Sequence, residues 1–234
     1  MDDCSPDDTA VVATSFQDVR IRHIRNAYNL GHLRNYNKGI CLSRGKYVWL
    51  ISADDYLRTP HVLRRYVELL NQRPKVGYTV CPGVGVRNGQ EVGVLPHSVN
   101  GNRDRVINGL RFLKMLLNGN SVIAASVLVR RQCYEQISVF PLTAEMKWSG
   151  DWYLWCVFAL YYDVGYFAEP MVCYREHDLS MTTTLTQNAL NDTCAAGDIA
   201  VPWMIRQKAK ELGLVNVTKT VSYTHLTLPT NREV

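Results

Sequence analysis

Tyr47-Val48-Trp49-Leu50-Ile51-Ser52-Ala53-Asp54-Asp55-Tyr56 is the stretch on which the fold of this chain turns. Gly45 precedes a short apolar run of aromatic and β-branched residues, the pattern of a strand buried on both faces. Two adjacent carboxylates follow at its end, where open α/β sheets bind their ligands. Like charges so close repel each other, and hard carboxylate oxygens favour Mg2+ or Mn2+ as the relieving ion.

Upstream, Ser5 stands as an N-cap with Pro6 in the first turn, which predicts a short helix over about Pro6–Phe16. Val19 to Ile24 alternates apolar with polar, as a strand exposed on one face does. Asn29-Leu30-Gly31 reads as a turn, and Leu33, Tyr36, Asn37, Ile40 and Cys41 then recur at helical spacing until Gly45. Downstream, Thr59-Pro60 opens a helix whose apolar face includes Val62, Tyr66 and Leu70, Pro74 stops it, and Val76–Cys81 resumes a strand. This alternation predicts an α/β domain with a mostly parallel central sheet flanked by helices.

The middle of the chain is less regular. Gly83 to Asn102 reads as a loop or hairpin, and its Gly83-x-Gly85 lacks the third glycine and the helix of a dinucleotide fingerprint. A helix over Asp104–Leu117, a strand over Val122–Val129 and a short helix over Arg131–Ile137 follow. Trp148-Ser149-Gly150-Asp151-Trp152-Tyr153-Leu154-Trp155 then places one carboxylate at the start of an apolar helix.

Composition narrows the function. The chain has 234 residues, 47% of them apolar, and a formal charge of +5. Its basic residues are scattered, which fits a polyanionic small ligand or an anionic membrane surface and makes no nucleic-acid footprint. Seven cysteines without a C-x-x-C pair fit reduced, mostly buried thiols in a cytosolic protein. The most apolar stretch, Trp152–Phe167, is too short to span a bilayer and is interrupted by Asp163.

Taken in order, these motifs resemble the family-2 glycosyltransferases of the GT-A fold, over roughly residues 1–184. Asp2-Asp3-x-Ser5-x-Asp7 is similar to the acidic turn that holds the nucleotide base and ribose. Asn29-x-Gly31 with Asn37-x-Gly39 matches the family's spaced Asn/Gly pattern. Ser52-Ala53-Asp54-Asp55 resembles the metal-binding Asp-x-Asp motif, Gly150-Asp151-Trp152 the motif carrying the catalytic base, and Tyr174-Arg175-x-His177 the closing segment.

The resemblance implies an inverting transfer of a sugar from a nucleotide-diphosphate donor to a hydroxyl of a saccharide or lipid-linked acceptor. It implies Asp151 as base, Asp2, Asp3, Asn37 and Asp54 at the donor, and Trp152 and Trp155 at the acceptor. Asp54, Asp55 and His177 would hold a divalent cation, Mg2+ or Mn2+. A cytoplasmic protein of bacterial polysaccharide or glycolipid synthesis, peripheral at the inner face of the plasma membrane, is what family habit suggests. The plainer alternatives stay open at this stage: Asp54 and Asp55 as a turn before a capped helix, and Asp151 as an N-cap.

Three positions depart from the family pattern. The opening strand is missing before Asp2, Ser52 stands where the first acid of Asp-x-Asp is usual, and Gly150 replaces the frequent Glu before the base. The expectation is therefore a domain over 1–184 incomplete at its N-terminus, a helical extension over 185–220, and a non-native tail over 221–234. An inactive or non-folding remnant that at most binds nucleotide sugar is the alternative. A phosphoacceptor receiver domain is a remote one, since Lys75 precedes its strand where that chemistry needs a lysine at a strand end.

Overall fold

The structure, a computed structural model, describes residues 1–97, 99, 101–178, 180, 191–215 and 217. In chain order the helices are α1 (Thr9–Ser15), α2 (His32–Leu42), α3 (Val62–Gln72), α4 (Gly109–Leu116), α5 (Arg131–Gln136), α6 (Met146–Ala159) and α7 (Asn191–Glu211). The strands are β1 (Tyr47–Trp49), β2 (Tyr56–Leu57), β3 (Val76–Val80), β4 (Gly83–Arg87), β5 (Gln90–Val94), β6 (Arg105–Ile107), β7 (Leu128–Arg130), β8 (Asp163–Tyr166) and β9 (Val172–Glu176).

A five-stranded sheet runs in the order β1-β7-β3-β8-β6, and a four-stranded one in the order β2-β9-β4-β5. β1 is covered on both faces, as its composition predicts. Val48 enters the main core, while Tyr47 and Trp49 pack on a second cluster. That second cluster is built by Val62, Tyr66 and Leu70 of α3, and the main core by α4, α6 and α7. The sheet is thus flanked by helices.

Its strand sense is mixed rather than mostly parallel. Only β3–β8 and β4–β9 run parallel; the other described pairs are antiparallel. A parallel neighbour requires a crossover connection. β7 instead arrives between β1 and β3 after the chain has passed through the β4–β5 hairpin, β6 and α4, and it runs back against both.

Several boundaries move for local reasons. The strand expected over Val19–Ile24 is reduced to one parallel bridge between Asp2 and Arg25, and Val19 is 99% exposed. Alternation cannot make a strand without a partner along its length. Ser5 does not cap α1: its N–H donates to Asp2 Oδ1 at 2.8 Å, and the helix starts at Thr9. Arg105–Ile107 leaves the predicted helix to pair with β8, and Asn108 caps α4 instead, accepting from the Arg111 N–H. The β4–β5 hairpin turns on Asn88 and Gly89, both at positive φ (51° and 79°), as a two-residue hairpin turn requires.

Arg130, on β7, is buried. Its guanidinium donates to the Leu70 carbonyl in the last turn of α3 and to the Arg73 and Val76 carbonyls beyond it, setting a cation at the C-terminal end of that helix. At the other end of the chain, Val201, Ile205 and Ala209 of α7 are buried in the main core. Gly197 lets α7 approach α6 closely, since a Cβ there would lie 2.0 Å from Ser149 Oγ. Residues 221–234, expected as a non-native tail, lie outside the described residues.

Candidate active site

After β1 the chain closes a tight turn, with Asp55 N–H donating to Ser52 O at 3.1 Å, and the turn presents both carboxylates. β2 follows at once and pairs with β9, Tyr56 against Cys173 and Leu57 against Val172. That pairing brings the end of β9 over the acidic turn. Arg175 N–H donates to Asp55 Oδ1 at 3.2 Å, and His177 Nε2 lies 3.2 Å from Asp54 Oδ2. Burial pushes the Asp55 carboxyl up to about 6, with the Asp54 charge adding to the rise and the Arg175 N–H opposing it.

Asp54 and His177 thus form a carboxylate–imidazole pair with a second carboxylate beside it. Among the described residues no three His, Cys, Asp or Glu groups converge as a closed metal cage. The pair fits a partial ligand set. Mg2+ and Mn2+ are commonly held that way, by one or two protein groups plus water and substrate phosphate.

Asp151 lies in the second turn of α6, because that helix begins at Met146 rather than at the tryptophan motif. The expected pull of a helix N-terminus on this carboxylate is therefore weak, since it fades within the first turn. Burial dominates and raises the Asp151 carboxyl to about 6, against the Trp152 N–H at 2.6 Å and the Asn120 amide. Asp54, Asp55 and Asp151 all line one cavity of about 560 Å3.

Asp2, Asp3 and Asn37 do not line that cavity. Asp2 is buried, accepts the Ser5 N–H and faces His23 and Arg25; these contacts, the Ser5 hydrogen bond first, hold its carboxyl below the usual range. For Asp3, burial pulls upward but hydrogen bonds from the Leu30 N–H and the Asn26 amide prevail and lower it. Asp3 thus braces the turn that leads into α2, while Asp2 ties Ser5 to His23 and Arg25. Asn37 is engaged at both ends of its amide with the Phe140 backbone, donating to its carbonyl at 2.8 Å and accepting its N–H at 3.0 Å.

Trp152 and Trp155 touch the cavity from within the core. Trp152 is 4% exposed and its indole N–H donates to Leu116 O at 2.9 Å. Trp155 is 2% exposed and stacks on Tyr78; its indole N–H is buried without a hydrogen-bond partner among the described residues.

Sequence reasoning missed Tyr36 and Asn120. The Tyr36 hydroxyl lies 3.4 Å from Ser52 Oγ, and its phenol is raised by burial and by the charges of Asp54, Asp151 and Asp55. Helical spacing marked Tyr36 only as an apolar-face residue. Asn120 carried no signal beyond following Gly119.

The sequence profile of glycosyl transferase family 2 matches residues 1–137, more than half of the chain. The chain belongs to glycosyl transferase family 2. Among solved structures this transferase is similar to S. aureus TarS 1–349, at 16% identity and a TM-score of 0.58, covering 95% of this chain and 77% of that one. It is also similar to the mannosyltransferase PcManGT from Pyrobaculum calidifontis, solved with GDP-Man and Mn2+, at 14% identity and a TM-score of 0.48, covering 98% and 70%. No curated protein matches the chain. The family match and the TarS-like fold agree with the GT-A architecture expected of this family-2 transferase.

Proposed function

We propose that this transferase moves a sugar from a nucleotide-diphosphate donor to an acceptor hydroxyl, with inversion at the anomeric carbon. The observation that carries the reading is a single cavity lined by the acidic turn, to which His177 is joined, and by Asp151. A departing diphosphate and an attacking hydroxyl need these two kinds of group within one site.

Asp54 and His177 would hold Mg2+ or Mn2+, with Asp55 beside them. When bound, that cation supplies charge neutralisation to the leaving diphosphate. Asp151 takes the proton of the acceptor hydroxyl as its oxygen bonds to the anomeric carbon and the bond to the diphosphate breaks. A carboxyl near 6 is ionised at neutral pH yet far more basic than a free aspartate. One displacement with the base opposite the leaving group inverts the centre.

Asp3 shapes the donor end by fixing the turn before α2, and Asp2 by holding Ser5. Asn37 acts there through the Phe140 backbone rather than by touching the nucleotide. The acceptor meets the edges of Trp152 and Trp155 that face the cavity. Saccharides and lipid-linked sugars of bacterial surface polymers are the acceptor class proposed. Among the described residues no helix is long and apolar enough to cross a membrane. Peripheral contact at the cytoplasmic face is the proposed location.

Calorimetric titration with uridine, thymidine and guanosine diphosphates, with Mn2+ and then chelator, tests the reading. Metal-dependent binding that Asp54→Ala abolishes is the expected result. Binding of none of the three by the folded protein would overturn it.

A further inference from the structure

Asp151 is not held by α6 alone. Asn120, in the loop after α4, donates its Nδ2 to Asp151 Oδ2 at 3.3 Å and to Oδ1 at 3.4 Å. The amide has a fixed sense, because its Oδ1 accepts the Val122 N–H at 3.1 Å, which leaves the NH2 end towards Asp151. Oδ1 of Asp151 also takes the Trp152 N–H at 2.6 Å. Oδ2 is therefore the oxygen with lone-pair capacity to spare. Both Asn120 and Asp151 line the cavity.

We propose that Asn120 is a positioning residue for sugar transfer, fixing the Asp151 carboxylate so that Oδ2 is the atom that receives the acceptor proton. The proposal rests on Asp151 being the base. Other titratable groups share the cavity: His32 and Tyr36 from α2, Asp54 and Asp55 from the turn, Tyr174 from β9, and Lys147 from α6 itself. Asp198 lines it from α7, and buried Cys156 lies behind Asp151. Asn120 reaches the Asp151 carboxylate from outside α6, with its amide donating to both oxygens.

The test uses Asn120→Asp and Asn120→Ser. Each keeps an oxygen to accept the Val122 N–H and so spares the loop, but neither can supply the amide donor. One readout is the carboxyl-carbon NMR titration of Asp151, assigned with Asp151→Asn. The other is the pH profile of hydrolysis of UDP-, TDP- and GDP-glucose with Mn2+, in which water replaces the acceptor.

In Asn120→Asp the Asp151 midpoint should rise by about one pH unit, and hydrolysis at pH 6.5 should fall about threefold relative to wild type, recovering by about pH 8.5 with donor KM unchanged. Asn120→Ser should shift both in the same direction by less. An unmoved Asp151 midpoint in both variants, or an equal loss of rate at every pH, overturns the positioning role. A shifted midpoint together with full hydrolysis by Asp151→Asn overturns the base assignment beneath it instead.

Discussion

His177 Nε2 stands 3.2 Å from Asp54 Oδ2, although 123 positions separate the two residues in the chain. The β2–β9 pairing makes the contact, placing the end of one sheet over the acidic turn that leaves the other. If the pair holds a cation, the two residues are unequal. Asp54 supplies charge and His177 one neutral ligand, so Asp54→Asn should weaken Mn2+-dependent nucleoside diphosphate binding by about 100-fold and His177→Ala by about tenfold. Calorimetry on both variants checks the order; equal, small losses would remove the pair from the metal site.

The two raised carboxyls carry a cost that depends on pH. A carboxyl near 6 in the folded protein and near 3.8 when unfolded favours folding only while protonated. Its contribution is complete below about pH 4 and is lost as pH rises through about 6. Asp151→Asn removes that loss. The variant should therefore be more stable than wild type at pH 8, by about 1 kcal/mol once the partial exposure of Asp151 is allowed for, and equal to it near pH 4. Urea unfolding at the two pH values measures the difference, and a gain of the same size at pH 4 would show that charge is not its cause.

Asn37 tests the distinction between binding a donor and holding the site. Its amide exchanges two hydrogen bonds with Phe140, whose side chain packs near Tyr36 with ring centroids 5.5 Å apart. Asn37→Ala strands a backbone N–H and a carbonyl, which should cost about 1–3 kcal/mol in stability. Nucleoside diphosphate affinity should stay within about threefold below the new melting temperature. A large loss of affinity without a loss of stability would return Asn37 to the donor.

What the sequence reveals here is what short-range pattern encodes. The apolar run Tyr47–Ile51 and the acids after it are contiguous, so strand, turn and charge are legible together. The apolar helix around Asp151 is legible for the same reason, although its start at Met146 is not, because no side chain caps it. Long-range pairing stays hidden. Nothing local announces that β7 enters between β1 and β3, that Val172–Glu176 brings His177 to Asp54, or that the Asn37 amide is spent on Phe140. Asn120 and Tyr36 are ordinary loop and helix residues until the fold sets them beside carboxylates.

The approach of α7 to α6 offers a last test, because α7 carries Asp198 into the cavity lining. A Cβ at Gly197 would lie 2.0 Å from Ser149 Oγ and 2.8 Å from Ser149 Cβ. Rotating the Ser149 hydroxyl relieves the first contact and leaves the second. Gly197→Ala should therefore push the helices apart and cost about 1–3 kcal/mol. Ser149→Gly removes both contacting atoms, so the double variant should regain most of the stability lost by Gly197→Ala, a coupling that a double-mutant cycle in urea reads directly. Additive effects would mean that the two helices do not meet at this pair. Calorimetry on the single variant separates the cavity's two ends: if nucleoside diphosphate affinity is set at the acidic turn, it should hold while α7 shifts.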